Sequence, residues 1–308
     1  MKNFHKLIKE ICEEENIKCS ILSKDWVIML EKEHKIRFIS GYKFDLNNHG
    51  FGNVIDDKYA TFEVLKEKKV PIIEHNILFN QNNKNDYAKE SNNYAFVEKF
   101  FKAHQQSIVL KANDSTCGNE VYHLTNINEI SKCLNRLFAK SFSISVCPFY
   151  DIKVEYRLIM LKDKCVAMYG KKRPIVVGDG KKTIRELLLG FNYHYFKDKL
   201  SEEEYNKILN KNEIYEYGWQ FNLSKGAIPF EVSSLDLKNK LLNMASRVSS
   251  IFDVGFCSID IVETQNNELL VMELNSGVMM ENYMQIVPEG FKIAKEIYKE
   301  AINEMFKN

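Results

Sequence analysis

The residues of this 308-residue chain best suited to chemistry lie in the stretch 256–277, FCSIDIVETQNNELLVMELNSG. It reads as two apolar strands joined at a polar turn, and side chains on a strand alternate between faces. Ser258, Asp260 and Val262 therefore share one face of the first strand, and Val271, Glu273 and Asn275 share one face of the second. A turn centred on Asn266-Asn267 sets Asp260 opposite Glu273. Two facing carboxylates repel unless a cation lies between them, and Asn275 adds a neutral oxygen on the same side. Such an all-oxygen set suits a hard, partly hydrated divalent ion of the Mg2+ type. The same residues also read as the acidic edge of a solvent-facing hairpin, and the local pattern leaves both readings open.

Cationic candidates lie upstream. In SIVLKANDSTCGNEVYHL, Lys111 ends a strand, and Asn113, Asp114, Ser115, Thr116 and Gly118 form a loop whose N–H groups and hydroxyls could cradle phosphate oxygens; a plain hairpin turn is the alternative. Arg157 stands on a strand with Glu155 and Ile159 on its face, between apolar neighbours, where burial without an anionic partner is costly. Lys171, Lys172 and Arg173 form a second cluster, and Asn222, Ser224 and Lys225 sit in a loop with Gly226 that permits close approach of backbone to a ligand. Only six of the 43 basic residues are arginine, so each arginine more plausibly marks a place that needs a planar, bidentate fork. A structural salt bridge is the alternative role for Arg157.

The elements that must position these residues follow from patterning. Phe4, Leu7, Ile8, Ile11 and Cys12 have helical spacing, and two short strands after them complete a small N-terminal αβ lobe closed by the Asn/Gly-rich loop DLNNHGFGN. Asp56 or Asp57 caps a helix over KYATFEVLKEKK, a strand PIIEH follows, and Asn126 caps a helix running to Lys140. Strands from 141 onward, a helical region over 184–212, a long helix over 234–252 and a terminal helix over 289–306 complete the chain. Apolar content of 45% and charged content of 28% suit a soluble globular protein of two or three lobes. A net charge of +1 supplies no global field for nucleic acid or an anionic membrane, and apolar runs fall short of the roughly 20 residues of a membrane span. Seven cysteines without a CxxC pair point to reduced thiols and a cytoplasmic setting.

Taken in order, Lys58 at the start of a capped helix, Lys111 before a polar loop, Glu155-Tyr156-Arg157, Arg173, Asn222 with Lys225, and finally Asp260, Glu273 and Asn275 resemble the ATP-grasp superfamily over about residues 57 to 290. EYRLIML, KKRPIVVGDGKKTIREL and NLSKGA are most similar to the branch of cyanophycin synthetase and glutathione-forming ligases, and the spacing of the acidic triplet resembles D-alanine:D-alanine ligases. The resemblance implies an α+β fold of two lobes clasping ATP, with the N-terminal lobe over 1–56, the nucleotide lobe over 57–149 and the metal-bearing lobe over 150–308. It implies ATP and Mg2+, with Mn2+ as a substitute, and activation of a carboxylate as an acyl phosphate for attack by an amine. Lys58, Lys111, Ser115, Thr116 and Gly118 would then hold the phosphates and Glu155 the ribose. Arg157, Arg173, Asn222 and Lys225 would line the transfer site, and Asp260, Glu273 and Asn275 would hold the metal. A small carboxylate and an amine, an amino acid or short peptide among them, would be the partners, and a homodimer is an option. Two departures stand out: the phosphate loop has Gly118 as its single glycine, and the hinge reads Val146-Cys147-Pro148-Phe149, where Pro148 lacks an N–H. A small-molecule kinase or a nucleotide-binding module without turnover would share the same fold.

Overall fold

The computed structural model describes residues 2–81, 92–114, 120–189 and 200–307. The opening helix α1 (Asn3–Glu14) turns Phe4, Leu7, Ile8, Ile11 and Cys12 inward, as their spacing requires. It packs on an antiparallel sheet of β1 (Lys18–Leu22), β2 (Val27–Lys32), β3 (Lys35–Ser40) and β4 (Lys43–Phe44). This segment does not enclose a core by itself. Its apolar side chains join those of the last helix and Ile159, Leu161 and Phe256 in a single cluster. Each fully buried Leu, Ile or Phe there contributes about 1.5–3 kcal/mol.

Of the stretch expected as an Asn/Gly-rich loop, residues 45–48 are a turn, while residues 49–53 instead open helix α2 (His49–Asp56). The Asn48 side chain accepts from the Phe51 N–H at 2.8 Å, capping the first turn, and Phe51 and Ile55 turn into the core. That burial outweighs the cost of Gly50 and Gly52 in so short a helix. Helix α3 (Lys58–Glu67) follows directly, capped by Asp57, whose Oδ1 accepts from the Ala60 N–H at 2.8 Å.

The second sheet has the order β5-β8-β6-β7, with β5 (Asn76–Phe79), β6 (Ile108–Ala112), β7 (Val121–Leu124) and β8 (Ser143–Pro148). Helices α4 (Asn93–Ala103) and α5 (Ile130–Phe138) cover one face, where Leu78, Ile108, Leu110, Ile144 and Val146 are buried. The expected strand PIIEH is displaced: β5 begins at Asn76, and residues 71–73 instead hydrogen-bond along the edge of the hairpin, Val271 N–H to Pro71 O and Ile73 N–H to Val271 O, both at 2.9 Å.

The third sheet carries the order β13-β10-β9-β14-β15, all antiparallel, with β9 (Ile152–Leu161), β10 (Lys164–Lys172), β13 (Ile228–Phe230), β14 (Phe256–Thr264) and β15 (Leu269–Asn275). Between β10 and β13 the described residues form the ribbon β11 (Ile175–Val177) with β12 (Ile214–Glu216) and the short helices α6 (Ile184–Leu188) and α7 (Glu202–Asn206); of the helical region expected over 184–212, residues 207–212 are not helical and 190–199 lie outside the described residues. Helix α8 (Leu235–Phe252), capped by Ser234, covers one face of the third sheet over Tyr156, Leu158, Met160, Ile259 and Ile261. After β15 the chain closes with α9 (Glu281–Ile286) and α10 (Gly290–Lys307).

Candidate active site

The face of the third sheet turned away from α8 carries a cluster of charged side chains. On β14, Asp260 pairs in register with Arg157 of β9 on one side and with Glu273 of β15 on the other, while Ser258 lies opposite Asn275. The Asp260–Glu273 juxtaposition expected from the hairpin is therefore present. The ladder then slips by one residue: Ile261 pairs with Val271, so Met272 is the extra residue of a bulge. Alternation had grouped Val271 with Glu273, but the bulge resets it. Val271 is buried in the core under α8, and Met272 packs instead with Ile73, Val109, Cys147 and Val262 between the second and third sheets.

Four charged side chains meet in the middle of this face. Arg157 donates to Asp260 through Nε to Oδ1 at 2.9 Å and through Nη2 to Oδ2 at 2.6 Å, a bidentate fork. Lys171 of β10 reaches Asp260 Oδ1 at 3.3 Å and forms a short ion pair with Glu155. Asp260 is 0% exposed and Lys171 3% exposed. Burial opposes every one of these charges, and the partners decide which survive. Asp260 is held below the usual carboxylate range because Arg157 and Lys171 override desolvation. Arg157 stays firmly cationic, since Asp260 overrides its burial. Burial lifts Glu155 to about 7, with Lys171 pulling the other way.

Lys171 is the residue that the sequence pattern undervalued. It pairs in register with Glu155, whereas Lys172, one position on, turns to the other side and lies 5.1 Å from the centre of the Phe230 ring. Period-two alternation along YGKK, anchored on buried Tyr169, separates the two lysines and was the available signal.

Facing this sheet across the cleft are Lys58 and Lys111, both buried. Lys58 Nζ donates to Asn113 O at 3.1 Å. Its pKa falls to about 8, chiefly from burial, with Glu273 opposing the shift and Lys111 adding to it, so these three groups lie within electrostatic reach of each other. Among the described residues neither Lys111 nor Glu273 makes an ion pair. Glu273 accepts only a long bond from Asn275 Nδ2 at 3.4 Å. Ser115, Thr116 and Gly118 lie outside the described residues. His75, to which the sequence gave no role, is buried in the cleft wall: Nδ1 lies 2.7 Å from Ser145 Oγ, and Ser145 is the cross-strand neighbour of Lys111. Burial and the two lysines keep His75 neutral.

The remaining predicted residues lie at one end of the face. Arg173 donates to Asp151 Oδ1 and Ile152 O, each at 2.8 Å, and its guanidinium sits over Phe221 at 5.7 Å. Asn222 caps the turn Leu223–Lys225, accepting from the N–H and Oγ of Ser224 at 2.9 and 2.8 Å. Lys225, 5% exposed, donates to Gln220 Oε1 at 2.7 Å. Gly226 closes that turn at φ 88°, where a Cβ would lie 2.2 Å from Tyr217 Oη. Arg173 is thus held by Asp151, Ile152 and Glu216, while Asn222 and Lys225 bond to Ser224 and Gln220 of their own loop.

Whether this donor set fits a divalent ion depends on the residue. Glu273 and Asn275 present hard oxygens on one half-buried face and fit. Asp260 fits only when Arg157 and Lys171 leave it, and among the described residues no group of three His, Cys, Asp or Glu side chains stands ready to hold a metal.

No family model matches the chain. Over 153 residues it is 29% identical to the glutathione biosynthesis bifunctional protein GshAB of Streptococcus mutans, a match covering 50% of this chain and 19% of that protein. A bifunctional glutathione synthetase from Pasteurella multocida superposes with a TM-score of 0.55 at 16% identity, covering 97% of this chain and 44% of that one. D-alanine–D-alanine ligase from Bacillus anthracis gives 0.55 at 11% identity over 85% of this chain and 69% of the other, and its ATP complex gives 0.54. This chain has the ATP-grasp fold. It spans less than half the length of either glutathione-forming protein.

Proposed function

We propose that the chain is an ATP-dependent carboxylate:amine ligase. The observation that carries this reading is the pairing of surfaces across the cleft: Lys58 and Lys111 on one side, and Arg157, Lys171, Asp260, Glu273 and Asn275 on the other. Cations to hold a phosphate chain thus face oxygens able to hold a cation on it. The similar proteins, two of glutathione biosynthesis and one a D-alanine–D-alanine ligase, support a reaction of this class.

In the reaction, a substrate carboxylate oxygen attacks the γ-phosphorus and ADP leaves. An amine then attacks the acyl carbon, expels phosphate and loses a proton. Lys58 and Lys111 bind the polyphosphate, with Ser115, Thr116 and Gly118 proposed to cover it. Arg157 is placed to stabilise charge on the transferring phosphoryl group, with Arg173, Asn222 and Lys225 bordering the acyl site. Glu155 is the proposed ribose contact, and it also forms an ion pair with Lys171. Glu273 and Asn275, joined by Asp260, are the proposed Mg2+ ligands, and Mn2+ would serve in its place. The ion supplies charge neutralisation of the triphosphate when bound. Residues 57–149 form the proposed nucleotide lobe, 150–308 the metal-bearing lobe and 1–56 the N-terminal lobe. Among the described residues no helix is long and apolar enough to cross a membrane, and the six described cysteines are free thiols, which suits a cytoplasmic setting.

The test is incubation with ATP, Mg2+, hydroxylamine and a panel of amino acids and short peptides. Hydroxamate and ADP form together with at least one acid, and Glu273→Gln lowers the rate about 100-fold or more while the fold persists. ATP consumption by none of the acids, or full activity in Glu273→Gln, would sink the reading.

A further inference from the structure

We infer that Glu155, Lys171, Asp260 and Arg157 form a self-neutral latch, and that metal and nucleotide load by exchanging partners with it. This rests on the proposed binding of a metal–nucleotide complex at this face. The four side chains carry two positive and two negative charges and are linked in a row, Glu155 to Lys171, Lys171 to Asp260, Asp260 to Arg157. Both oxygens of Asp260 are taken, at 2.9 and 2.6 Å by the Arg157 fork and at 3.3 Å by Lys171, and no part of Asp260 reaches solvent.

A buried charge that loses its partner is strongly penalised, and this sets the order of events. A metal ion arriving alone must draw Asp260 away from both its cations, breaking the bidentate fork to Arg157, whose side chain is 23% exposed, and leaving buried Lys171 with Glu155 alone. A polyphosphate arriving alone must draw Arg157 and Lys171 away and leave Asp260 and Glu155 facing each other. Arriving together, they avoid both penalties: the carboxylate passes to the metal as the cations pass to phosphate oxygens, so no charge of the row is left without a partner. Glu273, without an ion pair among the described residues, and Asn275 beside it give the ion its first foothold.

The latch makes a prediction of unusual sign. Ordinary ligand-contact residues lose binding when removed, whereas opening a latch frees the other partner. The experiment titrates Mn2+ without nucleotide, read by electron paramagnetic resonance, and a non-hydrolysable ATP analogue in EDTA, read by calorimetry. Arg157→Gln should tighten Mn2+ alone about fivefold or more, and Asp260→Asn should tighten the metal-free analogue by a similar factor, within the usual range for coupled sites. Lys171→Met, which opens the same row from its centre, should also tighten Mn2+ alone, and it decides the matter if Arg157→Gln does not fold by circular dichroism. Unchanged or weaker Mn2+ binding in the folded variants overturns the latch. Failure of the wild-type protein to bind the analogue even with Mn2+ present would instead overturn the proposed function, so the two outcomes are separable.

Discussion

Lys58 shows how the burial of a single charge costs stability. It is buried in the cleft, where desolvation lowers its pKa to about 8 from 10.5. Below pH 8 the folded and unfolded chains both carry its proton and the cost of burying the charge is present in full. Between pH 8 and 10.5 the unfolded chain binds the proton and the folded chain does not, so stability rises with pH through this window. Lys58→Met should therefore be more stable than the wild type at pH 7, with the gap narrowing toward pH 10.5, in denaturant titrations at each pH. A gap that widens with pH would contradict the assignment. The same variant should lose nucleotide affinity, because it removes a cation from the proposed phosphate site. At this scale the sequence read well where types were unusual: Arg157, Lys111 and the acidic residues of the hairpin drew notice by charge among apolar neighbours. It read poorly where many alike residues compete, as with Lys171 among 36 unremarkable amines beside one strand end, or neutral His75, whose role depends wholly on what surrounds it.

Among elements, α2 is where local composition and tertiary context disagree most. Asn and Gly favour turns and make up five of the nine residues of DLNNHGFGN, yet the Asn48 cap and the burial of Phe51 and Ile55 make a helix of its second half. Asn48→Ala should cost about 1 kcal/mol in urea denaturation, whereas a true loop would register no change beyond a few tenths. The hairpin bears the same lesson in a different form. Its two strands, its turn and the pairing of Asp260 with Glu273 follow from alternation, but the bulge at Met272 does not. A bulge is the insertion of one residue into a ladder, invisible to a pattern that counts by twos. Here it allows Met272 to face the apolar space between the sheets while Glu273 faces the charged row.

On the scale of the whole molecule, the N-terminal segment is bound into the C-terminal lobe. Asn47 ties the end of that segment to the start of β14, accepting from the N–H groups of Gly255 and Phe256 at 2.9 and 3.0 Å and donating to Phe256 O at 2.7 Å. The core around Phe4, Leu30 and Phe44 continues into Phe256 and Tyr298, with Phe44 stacked on Tyr298 at 5.5 Å. Removal of residues 1–44 should strip the cover from Phe256, Ile159 and one side of α10, giving a protein that aggregates or binds a hydrophobic dye, as read by light scattering and dye fluorescence. A monomeric truncated chain with unchanged thermal midpoint would show the segment to be an independent lobe.

The sequence by itself determined the residues able to do chemistry, their order, most strand and helix positions, and through them the resemblance to the ATP-grasp fold that the structural likenesses bear out. Those are local properties, carried by residue type, period and capping. Tertiary structure decided which carboxylates are already partnered. Asp260 and Glu273 are equals in the sequence, both acids on facing strands, yet Asp260 is sealed between Arg157 and Lys171 while Glu273 makes no ion pair among the described residues. Their neighbours come from β9 and β10, about 100 positions away in the chain by sheet pairing that no local pattern encodes. The field at a buried charge is a sum over whatever the fold brings within a few ångströms, and that sum exists only once the sheet has formed.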